Sequence, residues 1–118
     1  MKRGTVIINS NSVIIQKDVW MTDYEITDLF GVTSSAVNSQ VKAIYKSGVM
    51  SEKDTTRYIG LENGNRADIY NLEIIIALAF RLNSLPAKKF REWIIRKAVT
   101  PTHSQPSIIV HLKDGFLC

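Results

Sequence analysis

The segment that decides the fold runs from Thr22 to Ser47 and reads TDYEITDLFGVTSSAVNSQVKAIYKS. Thr22 followed by Glu25 matches a capping box, in which each side chain accepts a hydrogen bond from the backbone N–H of the other residue. Apolar residues then recur at helical spacing up to Gly31, which can adopt the left-handed conformation that ends a helix. The segment is therefore predicted to open with a short helix that ends at Gly31.

A second helix is predicted after this turn, capped by either Thr33 or Ser34 and closed at Ser47-Gly48. Its apolar positions fall on one helix face: Val37, Val41, Ile44 and Tyr45. Two short helices joined by Phe-Gly-Val-Thr are typical of a helix-turn-helix. One departure is Thr27, which stands where a small Ala usually lets the two helices approach. The same spacing also fits an ordinary helical hairpin that has no role in DNA binding.

The other face of the second helix is polar and mostly short-chained, which suits close approach to a DNA groove. If this helix enters the major groove, four residues near its start can reach base edges: Ser34, Ser35, Asn38 and Ser39. Asn38 has the donor and acceptor pair that matches adenine. Lys42 and Lys46 would contact phosphates and position the protein. Each of these residues could equally be part of a solvated helix face, and Ser34 could be only a cap.

Residues 55–70 are predicted to form a hairpin around Glu62-Asn63-Gly64-Asn65. A two-residue Asn63-Gly64 turn would place Ile59 opposite Asp68, whereas a three-residue loop at 63–65 pairs Ile59 with Ile69. We favour the second register because it pairs apolar residues across the strands. A hairpin in this position resembles the wing of a winged helix, in which Arg57 or Arg66 could contact the DNA backbone. It could also be a structural cover for the core.

The remaining elements complete an α+β domain. Residues 5–8 and 13–16 are predicted to form a small N-terminal hairpin, and residues 19–21 a third extended piece. Asn71 can cap a helix from 72 to about 83 that is apolar all round and therefore buried.

Pro86 is expected to open the last helix, which runs to about Val99 with Phe90, Trp93 and Ile94 facing inward. Its outward residues are basic: Lys88, Lys89, Arg91, Arg96 and Lys97. Of these, Lys88 and Lys89 are a second candidate for phosphate contact, although such a run is more often the solvated face of an amphipathic helix.

Composition limits the class of protein. The chain has 118 residues, a net charge of +4 and 45% hydrophobic residues, which fits one globular domain, expected at 1–99, followed by an extension at 100–118 with a strand-like run at 107–112. Cys118 is the single cysteine, so neither an intrachain disulfide nor a cysteine metal cluster is possible. His103 and His111 lack metal-ligand spacing. No apolar run has the length of a signal or membrane segment, so we expect a cytoplasmic protein. We also expect no cofactor, because the sequence has no motif that would bind one.

Six short segments occur in an order that is familiar from one family: Val19–Thr22, Leu29–Val32, Val41–Tyr45, Tyr70–Ile75, Phe80–Ser84 and Phe90–Trp93. Together they make residues 4–99 resemble the RhuM family, virulence-associated proteins of bacterial mobile elements. The layout is also similar to the amino-terminal domains of Bro-type phage antirepressors. The resemblance implies a bacterial or prophage DNA-binding regulator, and it carries no defined binding residues. The chain departs from the family pattern in its shorter first hairpin and in residues 100–118.

These features predict a non-enzymatic protein that binds double-stranded DNA. A homodimer is expected because one short helix supplies little contact area. The alternative is a protein-interaction or oligomerisation module that exposes the 72–83 helix and Trp93 to a partner. An enzyme is not expected, because the sequence has no catalytic Ser/His/Asp or Cys/His set, no metal-ligand spacing and no Gly-rich phosphate loop. A small-molecule substrate is likewise not indicated.

Overall fold

A computed structural model of the chain describes residues 2–10 and 12–99. The extension at 100–118 and its strand-like run lie outside the described residues. The predicted α+β class is confirmed. In chain order the elements are β1 (Val6–Ile8), β2 (Val13–Ile15), β3 (Trp20–Thr22), α1 (Asp23–Phe30), α2 (Ser34–Ser47), α3 (Glu52–Thr55), β4 (Thr56–Gly60), β5 (Arg66–Asn71), α4 (Leu72–Ala79) and α5 (Leu85–Val99).

The predicted N-terminal hairpin is present as the antiparallel pair β1 and β2. Val6 and Val13 face the core, whereas Ile7 and Ile14 stand opposite each other on the exposed side. A Cβ atom added at Gly4 would lie 2.1 Å from the Lys17 carbonyl oxygen, so only glycine allows the chain before β1 to pass this close. This passage joins the hairpin to the start of β3 through a bridge between Gly4 and Val19.

The helix-turn-helix has the boundaries that its local signals predict. The Thr22 hydroxyl accepts from the Glu25 amide at 3.2 Å, and the Glu25 carboxylate accepts from the Thr22 amide at 2.8 Å. Gly31 has a φ of 63° and donates its amide to the carbonyl of Thr27, which ends α1. The cap of α2 is Thr33, whose hydroxyl accepts from the Ala36 amide. The position at which each of the two helices begins is therefore fixed by a side-chain cap.

The capping carboxylate of α1 also binds the segment before β1. The Arg3 guanidinium donates to the Glu25 carboxylate at 2.6 Å and to the Trp20 carbonyl at 2.8 Å. Burial opposes ionisation of this carboxyl, but the Arg3 guanidinium and the Thr22 amide outweigh it and hold the pKa of Glu25 below its ordinary value. Ionised Glu25 thus joins α1 to the N-terminal segment.

Glu25→Gln is expected to lower the free energy of unfolding by about 1 kcal/mol at pH 7, because it removes the ion pair and weakens the capping box. The folded-state pKa is lowered, so this contribution is present above the ordinary value of 4.5 and is lost as pH falls through the folded value. Urea unfolding of both proteins at pH 7 and at pH 3 measures it. Asp28→Asn, an exposed carboxyl of the same helix, is the matched control, and an equal loss in both variants would contradict the assignment.

The wing-like hairpin is present, but the predicted register is wrong. Ile59 pairs with Ala67, and Arg57 pairs with Ile69, so the three-residue loop is 62–64. Gly64 lies at φ 88° and donates its amide to the Leu61 carbonyl. A three-residue hairpin loop needs a left-handed residue at its third position, and glycine occupies it without strain. The turn therefore decides the register, and the pairing of apolar residues does not.

The hairpin is one part of a three-stranded antiparallel sheet in the order β3-β5-β4. β3, which immediately precedes α1, pairs with β5, so the sheet is tied directly to the helix-turn-helix. One face of the sheet contributes Met21 and Tyr70 to the core. The hairpin is thus joined to α1 through β3.

The core is built by α4 and α5 against the helix-turn-helix. Asn71 caps α4 as predicted, and Ile74, Ile75 and Leu78 have no exposed surface. α4 ends at Ala79 rather than near residue 83.

The prediction that Arg91 of α5 faces outward is wrong. Its guanidinium donates to the carbonyls of Ala79 and Leu82 at 2.7 and 2.9 Å, which satisfies carbonyls left free at the end of α4. α5 itself begins at Leu85, one residue before the predicted start, with the Ser84 hydroxyl accepting from the Ala87 amide.

Candidate nucleic-acid interface

The two sides of α2 differ completely in chemistry. Val37, Val41 and Ile44 are buried in the core. The other side exposes five of the predicted site residues: Ser35, Asn38, Ser39, Lys42 and Lys46. Ser34, in the first turn, is half-buried. The structure therefore brings the predicted residues of this helix together on one continuous exposed surface, called the α2 face below.

The charge of the α2 face is purely positive. α2 contains Lys42 and Lys46 and no Asp or Glu. Within residues 2–10 and 12–99 neither lysine forms an ion pair, so both ammonium groups are available to an anionic partner. The preceding α1 is acidic, with Asp23, Glu25 and Asp28, and among the residues that the structure describes only Glu25 of these three forms an ion pair, with Arg3. Attraction of a polyanion is thus confined to the second helix of the pair.

Two side chains of α2, Gln40 and Tyr45, form hydrogen bonds with neighbouring elements. Gln40 accepts a hydrogen bond from the Arg81 guanidinium, just after α4, at 2.8 Å. Near the end of α2 the Tyr45 hydroxyl is hydrogen-bonded to the hydroxyl of Thr55 at 2.8 Å and also to that of Thr56. Since Thr56 is the first residue of β4, Tyr45 fixes the base of the hairpin relative to α2.

These positioning residues are not evident in the sequence. Periodicity places Tyr45 among the core residues, and nothing in the local pattern pairs it with two threonines across a short helix. Tyr70 stands opposite Thr56 in the sheet, and burial together with the nearby Asp68 carboxylate and Tyr45 raises its pKa to about 12. The contact between α2 and the start of the hairpin is therefore made by the hydroxyl groups of Tyr45, Thr55 and Thr56.

The two hairpin arginines lie on opposite faces of the sheet. The guanidinium carbon of Arg57 lies 4.5 Å from the centroid of the Trp20 ring, and that of Arg66 lies 4.4 Å from the centroid of the Tyr58 ring. Both guanidinium groups are stacked on aromatic rings and both residues are exposed. Glu62 and Asp68 balance their charges within the hairpin. Its net charge of zero gives the wing little general attraction for DNA.

Lys88 and Lys89 belong to a different part of the surface from the α2 face. α5 packs on α1, α4 and β1, whereas α2 packs on α1 and α4. Lys88 is exposed, and Lys89 is half-buried beside the turn between β1 and β2. The ten predicted residues thus fall into three groups, on α2, on the hairpin and on α5.

Over residues 2–10 and 12–99, no group of three or more His, Cys, Asp or Glu side chains is arranged to hold a metal ion. None of the described helices combines the length and the apolar character that crossing a membrane requires. Comparison of the chain with family models, with curated proteins and with solved structures finds no match.

Proposed function

We propose that this protein binds double-stranded DNA, with α2 in the major groove, and acts as a transcription regulator or antirepressor-like protein of a bacterial mobile element. The proposal includes action in the cytoplasm without cofactor or catalysis. One observation carries it. Five of the exposed residues of α2, those of the α2 face, form a polar surface without acidic residues on the second helix of a helix-turn-helix. This is the helix that enters the major groove in such motifs.

The chemistry of the α2 face is consistent with a division of roles. Asn38, in the second turn of α2, offers both a donor and an acceptor to a base edge. Lys42 and Lys46 follow one and two turns later, where a helix lying in the groove approaches the phosphate backbone. Ser35 and Ser39 are short enough to let the helix approach closely.

The biological role in this proposal comes from the resemblance of residues 4–99 to RhuM proteins. A homodimer is proposed because specific DNA interfaces generally need more area than one short helix supplies. The alternative of a protein-interaction module is less well supported. It expects the 72–83 helix and Trp93 to be partly exposed to a partner. Ile74, Ile75 and Leu78 lie wholly inside the core, whereas Trp93 is half-buried.

A fluorescence titration with random duplex DNA at two salt concentrations tests the proposal. Binding is expected to weaken at the higher salt, because each neutralised phosphate releases counterions. Lys42→Ala is expected to flatten the slope of log K against log [salt] by about one unit. Circular dichroism of the variant checks that the change in slope does not come from unfolding of the protein.

Lys17→Ala is the matched control for this titration. It removes the same charge from an exposed turn between β2 and β3 rather than from the α2 face. The control is expected to keep the wild-type slope. An equal change in both variants would mean that only net charge matters, and an unchanged slope in Lys42→Ala would remove α2 from the interface.

A further inference from the structure

The positive charge of the protein is concentrated away from the helix-turn-helix. α1 has three acidic residues and α2 two lysines, so the pair has a net charge of −1. The β4–β5 hairpin has a net charge of zero. α5 has five basic residues against Glu92, a net charge of +4, the highest of the described helices and strands. Since neutralisation of phosphates supplies most non-specific affinity for DNA, the α2 face alone gives a small electrostatic contribution.

The cations of α5 are not equivalent. Arg91 is turned inward and donates to the carbonyls at the end of α4, so its role is structural. The Lys97 ammonium lies 5.6 Å from the centroid of the Trp93 ring. Lys89, in contrast, forms no ion pair or hydrogen bond with the described residues although it is half-buried. Over residues 2–10 and 12–99 its ammonium group therefore has no anionic partner.

Lys89 lines a groove of about 290 Å³ between α5 and the β1–β2 turn, which we call the α5 groove. α5 contributes Trp93 and Arg96 to the same wall, together with Glu92. The turn contributes polar side chains from Asn9, Ser10 and Ser12. Lysine, arginine, serine and asparagine are among the side chains that contact DNA phosphates and sugars. Lys89 has no anionic partner among the described residues, so its ammonium group is the part of the groove that can bind an anion.

We propose that the α5 groove binds the phosphate backbone of duplex DNA as a second contact surface, in addition to the α2 face. The inference rests on the proposed function in so far as both need DNA as the partner. It assigns the two surfaces different tasks. The α5 groove supplies salt-dependent affinity through Lys89 and the turn, and the α2 face supplies sequence preference.

Lys89→Ala and Lys88→Ala form a matched pair of variants for this inference. The two lysines are neighbours on α5, but Lys88 does not line the groove. In duplex titrations over a range of salt, Lys89→Ala is expected to reduce the slope of log K against log [salt] by about one unit, and Lys88→Ala to keep the wild-type slope. The ratio of affinities for a preferred and a scrambled duplex is expected to stay unchanged in both.

The outcomes separate the two proposals. If Lys42→Ala flattens the slope and Lys89→Ala does not, the α5 groove is not a DNA site and the function assigned to α2 stands. If Lys89→Ala flattens the slope and Lys42→Ala does not, the α5 groove is supported as a DNA site and α2 is removed from the interface. An equal reduction of the salt slope in Lys88→Ala and Lys89→Ala would mean that DNA is attracted to α5 in general. That result would overturn the assignment of the α5 groove. A wild-type protein that binds no duplex would overturn both proposals.

Discussion

Phe90→Ala is expected to cost about 3–5 kcal/mol of unfolding free energy, the usual range for removing a fully buried phenylalanine. Phe90 has no exposed surface, and its ring centroid lies 6.2 Å from that of Phe30 and 6.1 Å from that of Trp93. Phe30 is the last residue of α1, so the cavity would form where α5 supports the helix-turn-helix. A loss of this size is a large part of the stability of a typical domain.

Urea unfolding followed by tryptophan fluorescence measures the effect, since Trp93 adjoins the substituted ring. Phe80→Ala is the matched control, because the Phe80 side chain is 49% exposed. The control is expected to lose about 1 kcal/mol or less, as substitutions away from the core usually do. Comparable losses in both variants would contradict the placement of α5 against α1.

The helix-turn-helix can be predicted from the sequence because its signals are local. The capping box at Thr22 and Glu25 acts within four residues, and Gly31 ends α1 by its own conformational freedom. The exposed residues of α2 follow from helical spacing once the buried stripe is known. For the same reason the predicted members of the α2 face lie where periodicity places them.

The errors have two sources. In the hairpin the source is local: pairing of Ile59 with Ile69 is apolar on both sides, but the left-handed residue Gly64 fixes the loop one position earlier. Elsewhere a contact between residues distant in the sequence decides. Arg57 then stands opposite Ile69 and is stacked on Trp20, a contact across the sheet that no local pattern indicates. The sequence predicts that Arg91 faces water, because charge is usually exposed, yet the carbonyls of Ala79 and Leu82 at the end of α4 bind its guanidinium.

Which basic residues share one surface also cannot be predicted without the fold. In the sequence Lys42 and Lys46 are the first candidates for phosphate contact and Lys88 and Lys89 the second, and nothing in it shows whether the four share one surface. Packing of α5 on β1 places Lys89 against the N-terminal turn, apart from the α2 face. The N-terminal hairpin, which the sequence connects to no function, thus becomes one wall of a candidate site.

Asn38→Ala is expected to reduce binding to a preferred duplex by about 1–3 kcal/mol, the discrimination that one good bidentate side-chain contact to a base provides. Asn38 is exposed on the α2 face and carries no charge. Binding to a scrambled duplex and the salt slope should therefore stay close to wild type, because phosphate contacts are unchanged. Asn83→Ala, an exposed asparagine between α4 and α5, is the matched control and is expected to keep the wild-type preference.

The central claim is that α2 reads DNA, and a paired titration after selection tests it most directly. A duplex enriched from a random pool by the wild-type protein is compared with its scrambled version for wild type, Asn38→Ala and Asn83→Ala. We predict that wild type and Asn83→Ala prefer the selected duplex, and that Asn38→Ala loses most of this preference while still binding both duplexes. Equal preference in all three proteins, or no enrichment by wild type, would contradict the claim.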